Sequence, residues 1–138
     1  GAVERVERRA SMPVHRGLGM TNRPDWSSVT SAGIFRVPRE GRFDRHYHDC
    51  DEYWLVFKGR AKILTEGQEF VVGPGDIVCT RAGDEHDVLE VYEDLEAFWF
   101  EDALMGQGRV GHLHRTPDLA QGHVVPGADL PAEVSMKS

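Results

Sequence analysis

Between residues 32 and 101 the chain is a succession of short stretches in which apolar and polar residues alternate, each closed by a turn signal. The stretches are AGIFRVP (32–38), RFDRHYH (42–48), EYWLVF (52–57), RAKILT (60–65), QEFVV (68–72), DIVCT (76–80), HDVLEV (86–91) and LEAFWFE (95–101). Period-two alternation puts one face of a strand in a core and the other outside it, and none of these stretches carries a helical period. The punctuation is specific. Lys58-Gly59-Arg60 separates two strands, Glu66-Gly67-Gln68 signals a tight hairpin, and Pro74-Gly75 fits the central positions of a type II turn. Regularly spaced short strands predict an all-β sandwich or barrel. The flanks differ: residues 1–31 are charged and then loop-like, and residues 102–138 are rich in Gly, Pro and His without a sustained period. The expected organisation is an irregular N-terminal extension (1–31), a β core (32–101) and a C-terminal extension (102–138) packed on or beside the core.

Composition narrows the function classes. At 138 residues the chain is one domain, large enough to bury a core without covalent staples. The net charge of −7 argues against a nucleic-acid partner. No apolar run approaches the roughly 20 residues needed to span a bilayer, and the first residues, GAVERVERRASM, lack the apolar stretch of a signal peptide. Only Cys50 and Cys79 occur, so a disulfide framework is not expected and a reducing cytoplasm is the expected location.

The chemistry gathers in RHYHDCDE (45–52). His46 and His48 are two apart and share a strand face, and Glu52 opens the next strand after the turn Asp49-Cys50-Asp51. His86 opens a later strand after Ala82-Gly83-Asp84-Glu85. Three neutral imidazoles and a carboxylate suit Fe, Mn, Ni, Cu or Zn, and an octahedral ion held by four side chains keeps positions open for water or substrate.

These residues carry a family resemblance. His46-x-His48-x3-Glu52-x6-Gly59 resembles the first motif of the cupin superfamily, and Gly75-x5-Arg81-x-Gly83-x2-His86 resembles the second. Arg81 stands where that family usually has proline, Glu90 where it has asparagine, and Gly41 lies one residue closer to His46 than usual. The resemblance covers residues 32–101. It implies a double-stranded β-helix (jelly-roll barrel) and one divalent transition metal on His46, His48, Glu52 and His86; the dioxygenase reading below favours iron.

Strand parity fills in the surroundings. Arg42 and Asp44 share a face with His46, Trp54 and Val56 with Glu52, and Val88 and Glu90 with His86. Arg42 is therefore the candidate holder of a substrate anion, Trp54 the pocket's aromatic wall, and Glu52 and Glu90 the catalytic carboxylates. Cys79 reads as a small buried hydrophobe, Tyr47 as structural, and Cys50 as a turn residue close to the site. His112, His114 and His123 read as solvated loop histidines, and Asp84, Glu85 and Asp87 as a solvated acidic run. The expected function is metal-dependent chemistry on a small molecule. A dioxygenase acting on an anionic or enolate substrate is favoured over an isomerase, epimerase, lyase or cyclase, and over a non-catalytic binding module. Tyr53, Leu55 and Phe57 form an outward apolar row that predicts a homodimer.

Overall fold

The computed structural model describes residues 13–102 and 111–132. The remainder of the two extensions expected at the ends, residues 1–12, 103–110 and 133–138, lies outside the described residues. The all-β expectation holds. Among the described residues, seven strands, β1 (Val29–Val37), β2 (Arg42–Phe43), β3 (Glu52–Thr65), β4 (Gln68–Val72), β5 (Ile77–Thr80), β6 (His86–Asp102) and β7 (His123–Val124), are joined by turns and one short 3-10 helix, Pro117–Gln121. The larger sheet runs β1-β6-β3-β4 with β5 also on β3, and β2 pairs with β7 in a second, small sheet. Every strand pairing is antiparallel. No helix among the described residues is long and apolar enough to cross a membrane.

Four of the expected strands merge into two long ones. β3 continues through Lys58-Gly59-Arg60, and β6 continues from His86 to Asp102. Gly59 does not end the strand but bends it. It has φ +85°, and a Cβ there would stand 2.0 Å from the carbonyl oxygen of Asp94. Glycine is required at such a bulge because no side chain fits between the two backbones. The bulge also shifts parity: Glu52, Trp54 and Val56 are buried before it, and Gly59, Ala61, Ile63 and Thr65 after it. β6 carries a second shift. Ile63 faces Val88, while the preceding Lys62 faces Glu90. One residue of β3 is thus opposed by two of β6, and the inward positions move from His86 and Val88 to Val91, Leu95 and Ala97.

The hairpin at Glu66-Gly67 forms as expected. Both residues have positive φ (51° and 70°), and Thr65 pairs with Gln68 across a two-residue loop. That geometry matches the right-handed twist of the flanking strands. The core is a layer of Val37, Val56, Ile63, Val78, Val88 and Leu95 with Trp54 at one end. Val125, from the C-terminal segment, is fully buried in the same cluster. That segment is tied down by β7 against β2 and by bridges from Leu113 to Tyr47 and from Gly127 to Val91.

Candidate metal centre

The four motif residues meet at one end of the barrel. His46 lies just past β2 and forms an antiparallel bridge with His86, with backbone N–H···O distances of 3.2 and 2.8 Å in the two directions. His86 opens β6, Glu52 opens β3, and the His48 carbonyl receives the Gly83 N–H at 2.9 Å, which fixes the loop before β6. All four side chains are buried, and their ligating atoms lie within 4.8 Å of one another. His46 Nε2 is 2.7 Å from His86 Nε2, His48 Nε2 is 2.9 Å from Glu52 Oε2, and His86 Nε2 is 3.5 Å from Glu52 Oε1. Donors about 2.1 Å from one ion and at right angles stand about 3 Å apart, so the spacing is that of a coordination shell.

The outer contacts aim the imidazoles. His46 Nδ1 donates to the Asp44 carbonyl at 2.5 Å, and His48 Nδ1 donates to the Gly111 carbonyl at 3.0 Å. A carbonyl only accepts, so both rings carry their proton on Nδ1 and present a lone pair on Nε2 to the centre. Trp54 Nε1 donates to Glu52 Oε1 at 2.6 Å and holds the carboxylate in place. Burial, reinforced by neighbouring imidazoles, pushes His46 down to about 4. Burial pushes His86 down to about 3 against the pull of Glu52. For Glu52, burial acts upward, but the contact with His48 and the charges of His86 and His48 prevail and bring it to about 2. For His48, burial acts downward, and the adjoining Glu52 and Glu101 carboxylates reverse it, leaving it raised. His46 and His86, held neutral, and the ionised Glu52 are in the protonation states that metal ligands need, and an ion would displace any proton from His48. His86 Nδ1 is buried without a hydrogen-bond partner, so an ion on Nε2 would let the ring move its proton to the free nitrogen. The donor set fits a divalent transition metal.

Several residues join the site that the sequence did not point to. Glu101, paired with Glu52 across β3 and β6, is almost fully buried and lines the cavity beside it. Its Oε1 is 3.9 Å from His48 Nδ1, and its Oε2 accepts from Cys50 Sγ at 3.6 Å. The signal for Glu101 was present: in LEAFWFE (95–101) it shares parity with Leu95, Ala97 and Trp99. Cys50 is buried, and burial with the Glu101 charge pushes its thiol up to about 12. His114 is largely buried rather than solvated, and His112, although half-exposed in its loop, is held against the site. Both place a ring nitrogen on Asp44 Oδ2, at 2.9 and 2.8 Å, and His112 stacks on His46 with centroids 3.7 Å apart.

Other expectations are corrected. Glu90 does not face the centre: the bulge in β6 turns it outward, where it accepts from Tyr92 at 2.9 Å and lies 3.5 Å from Lys62. Arg42 is also turned away, because β2 ends at Phe43 and the parity back from His46 is lost. Arg42 is exposed and donates to the carbonyls of Gln121 and Gly122 at 3.0 and 3.2 Å, clamping the C-terminal segment. Phe43 takes the inward position instead, 5.4 Å from the His46 ring. Asp87 is buried between Arg45 (3.0 Å) and His123 (2.6 Å) rather than solvated. Cys79 is exposed, because β5 buries Val78 and Thr80 instead. Tyr47 packs under Arg115 at 4.8 Å, a structural contact. Trp54 stands where parity put it, on the wall of a cavity of about 160 Å³ whose lining includes His46, Glu52 and Glu101.

Comparison with known proteins agrees with this geometry. The family model described as "Cupin domain" matches residues 33–101, half of the chain. An uncharacterized protein of Sinorhizobium fredii, y4oW, is 42% identical over 90 residues, which are 65% of this chain and 42% of that protein. The chain thus spans less than half the length of this curated relative. Among solved structures, the DMSP lyase DddQ of Ruegeria pomeroyi superposes with TM-score 0.53 at 24% identity, over 61% of this chain and 43% of that one. A predicted oxalate decarboxylase of Thermotoga maritima gives 0.51 at 19% identity, over 56% and 69% of the two chains. The plu4264 protein of Photorhabdus luminescens gives 0.51 at 20%, over 69% and 82%. At these identities the structural likeness is one of fold.

Proposed function

We propose that this chain, which belongs to the Cupin domain family, is an enzyme that holds one divalent transition metal on His46, His48, Glu52 and His86 and acts on a small organic molecule. The observation that carries the reading is the convergence of four buried ligating atoms within 4.8 Å, beside a cavity that His46 and Glu52 line. A bound ion would supply Lewis acidity toward a substrate oxygen. The chain supplies the rest. Trp54 fixes Glu52, the Asp44 and Gly111 carbonyls fix the two histidine tautomers, and Phe35, Phe43 and Trp99 give the cavity apolar walls.

Glu101 favours a non-redox reaction, a lyase or isomerase. It lines the cavity next to Glu52 but lies outside the four-residue donor set, and its hydrogen bond to Glu52 puts a carboxyl in position for proton transfer. The dioxygenase reading draws support from the donor set itself, since three imidazoles and a carboxylate suit iron. An assay of metal-loaded protein against a panel of small molecules separates the two. Turnover that survives removal of oxygen and proceeds with zinc supports the lyase or isomerase. Turnover that needs both oxygen and iron supports the oxygenase. Tight binding without turnover would reduce the protein to a binding module.

A homodimer belongs to the same reading. Pro13, His15 and Leu18 line one groove with Leu55, Phe98 and Phe100, yet Tyr53 and Phe57 stay 36% and 41% exposed. A symmetric partner would cover this row, and a monomer by light scattering at micromolar concentration would count against it.

A further inference from the structure

His112 lines the cavity beside the metal centre but lies outside the four-residue donor set. Its position is firmly built. The next residue, Leu113, is bridged to Tyr47 by backbone hydrogen bonds of 2.9 Å in both directions, and Arg115 donates to the Gly83 carbonyl at 2.6 Å. On either side of Leu113, His112 Nδ1 and His114 Nε2 converge on Asp44 Oδ2, at 2.9 and 2.8 Å. Burial acts upward on Asp44, but the contacts with His114, His46 and His112 outweigh it and keep the group a carboxylate. A carboxylate only accepts, so His112 carries a proton on Nδ1. Its other nitrogen, Nε2, has no hydrogen-bond partner among the described residues. A cavity-lining imidazole that a carboxylate holds by one nitrogen keeps the other for a substrate.

The stack on His46 decides what His112 can reach. The two ring centroids are 3.7 Å apart and the planes are inclined at only 7°. An imidazole holds a metal in its own plane, so the lone pairs of rings stacked this way run side by side and do not meet at one ion. His112 therefore stands beside the ion that His46 would hold, and not on it. A ligand atom bound to the ion on that side comes within its reach. One hydroxyl spans the gap, its oxygen toward the ion and a hydrogen bond of about 2.7–3.0 Å to His112. A hydroxyl both donates and accepts, so the contact forms whether or not Nε2 carries a proton.

We propose that His112 contacts the substrate directly, and that the site takes a small hydroxy compound whose hydroxyl lies between the ion and His112 Nε2. This rests on the metal-centre reading given above. The cavity of about 160 Å³ admits a molecule of a few heavy atoms.

The test uses two probes, glycolate and methoxyacetate. They carry the same carboxylate, and the methyl ether lacks only the O–H. Each is titrated into the full chain loaded with cobalt(II), whose visible bands report a ligand joining the ion, and metal content is measured on the same samples. Wild type is expected to bind glycolate more tightly than methoxyacetate. His112→Phe keeps a ring to stack on His46 and removes the nitrogen. It should retain one ion per chain and bind glycolate about tenfold more weakly, the scale of one lost hydrogen bond, with methoxyacetate unchanged. His112→Gln, whose amide reaches where Nε2 stands, should recover most of the loss. An equal loss of both probes in His112→Phe, an unchanged glycolate affinity, or no glycolate binding to loaded wild type would overturn the inference. So would a second ion per chain that His112→Phe loses, because His112 would then be a ligand. In each of these cases the ion on the four residues remains and the metal centre stands. Wild type that takes up no ion removes the metal centre, and the inference with it.

Discussion

The two ends of β3 face the same interior and carry opposite chemistry. At the first end Glu52 and Trp54 point inward to meet three histidines and Glu101. Beyond the Gly59 bulge, Ala61 and Ile63 point inward to meet Val72, Val78 and Val88. The second end is stabilised by removing apolar surface from water, about 25 cal/mol for each Å². The first end buries carboxylates and imidazoles, which costs free energy unless a partner compensates. The lesson is that one strand divides its work, with a conventional core supporting a cluster that an ion would complete.

The division can be broken most sharply with His86→Ala against Ile63→Ala. His86→Ala should weaken metal binding well beyond the roughly 10–100-fold typical of losing an outer partner of a ligand. Ile63→Ala should leave the metal stoichiometry unchanged yet lower stability by about 2–5 kcal/mol, the range for truncating a buried Ile. Titrations of metal uptake and urea melts on both variants check the contrast. It fails if the two variants lose metal and stability in the same proportion.

Acid sharpens it next. His46 and His86 have folded values of about 4 and about 3, below the ordinary 6.5, so below pH 6.5 the unfolded chain binds protons that the folded chain does not. Stability of the ion-free protein should therefore fall as pH drops from 6.5 to 4, by at most about 3 kcal/mol per pH unit for two such groups. Glu52, lowered from 4.5 to about 2, removes stability in the same direction below pH 4.5. His48 is raised, so its contribution has the opposite sign: present below pH 6.5 and lost as pH rises through its folded value. Urea melts across this range should show the fall in wild type and a shallower slope in His86→Ala. A flat profile in wild type would contradict the burial of neutral imidazoles.

The smallest effects should come from Glu90 and Arg42. Glu90→Gln, at a partly exposed ion pair with Lys62, should cost no more than about 1 kcal/mol and leave metal uptake unchanged. Arg42→Ala should cost about 1 kcal/mol through its lost carbonyl contacts. Loss of metal from either variant would return these residues to the centre.

This ordering also shows what the sequence could and could not reveal. The strand pattern of residues 32–101, the Glu66-Gly67 hairpin, and the shared end of the barrel for His46, His48, Glu52 and His86 were legible, because alternation and turn chemistry are local. Glu90 was misplaced because a single extra residue in β6 reverses every side chain after it, and a bulge leaves little local trace. Arg42 was misplaced because β2 is two residues long, too short to carry parity to His46. His112 and His114 reach Asp44 from about seventy residues away, a tertiary contact that no local period encodes. Glu101 lay within reach of the alternation in LEAFWFE, but a charged residue closing a strand reads as solvent-facing until its partner strand is known.

The most direct test of the metal centre is X-ray absorption on metal-replete protein, paired with metal analysis per chain. The account predicts one divalent ion per chain, with nitrogen and oxygen donors at about 2.0–2.2 Å and imidazole back-scattering from three rings, which disappears in His86→Ala. Protein that binds no ion, or an ion whose signal survives His86→Ala intact, would contradict it.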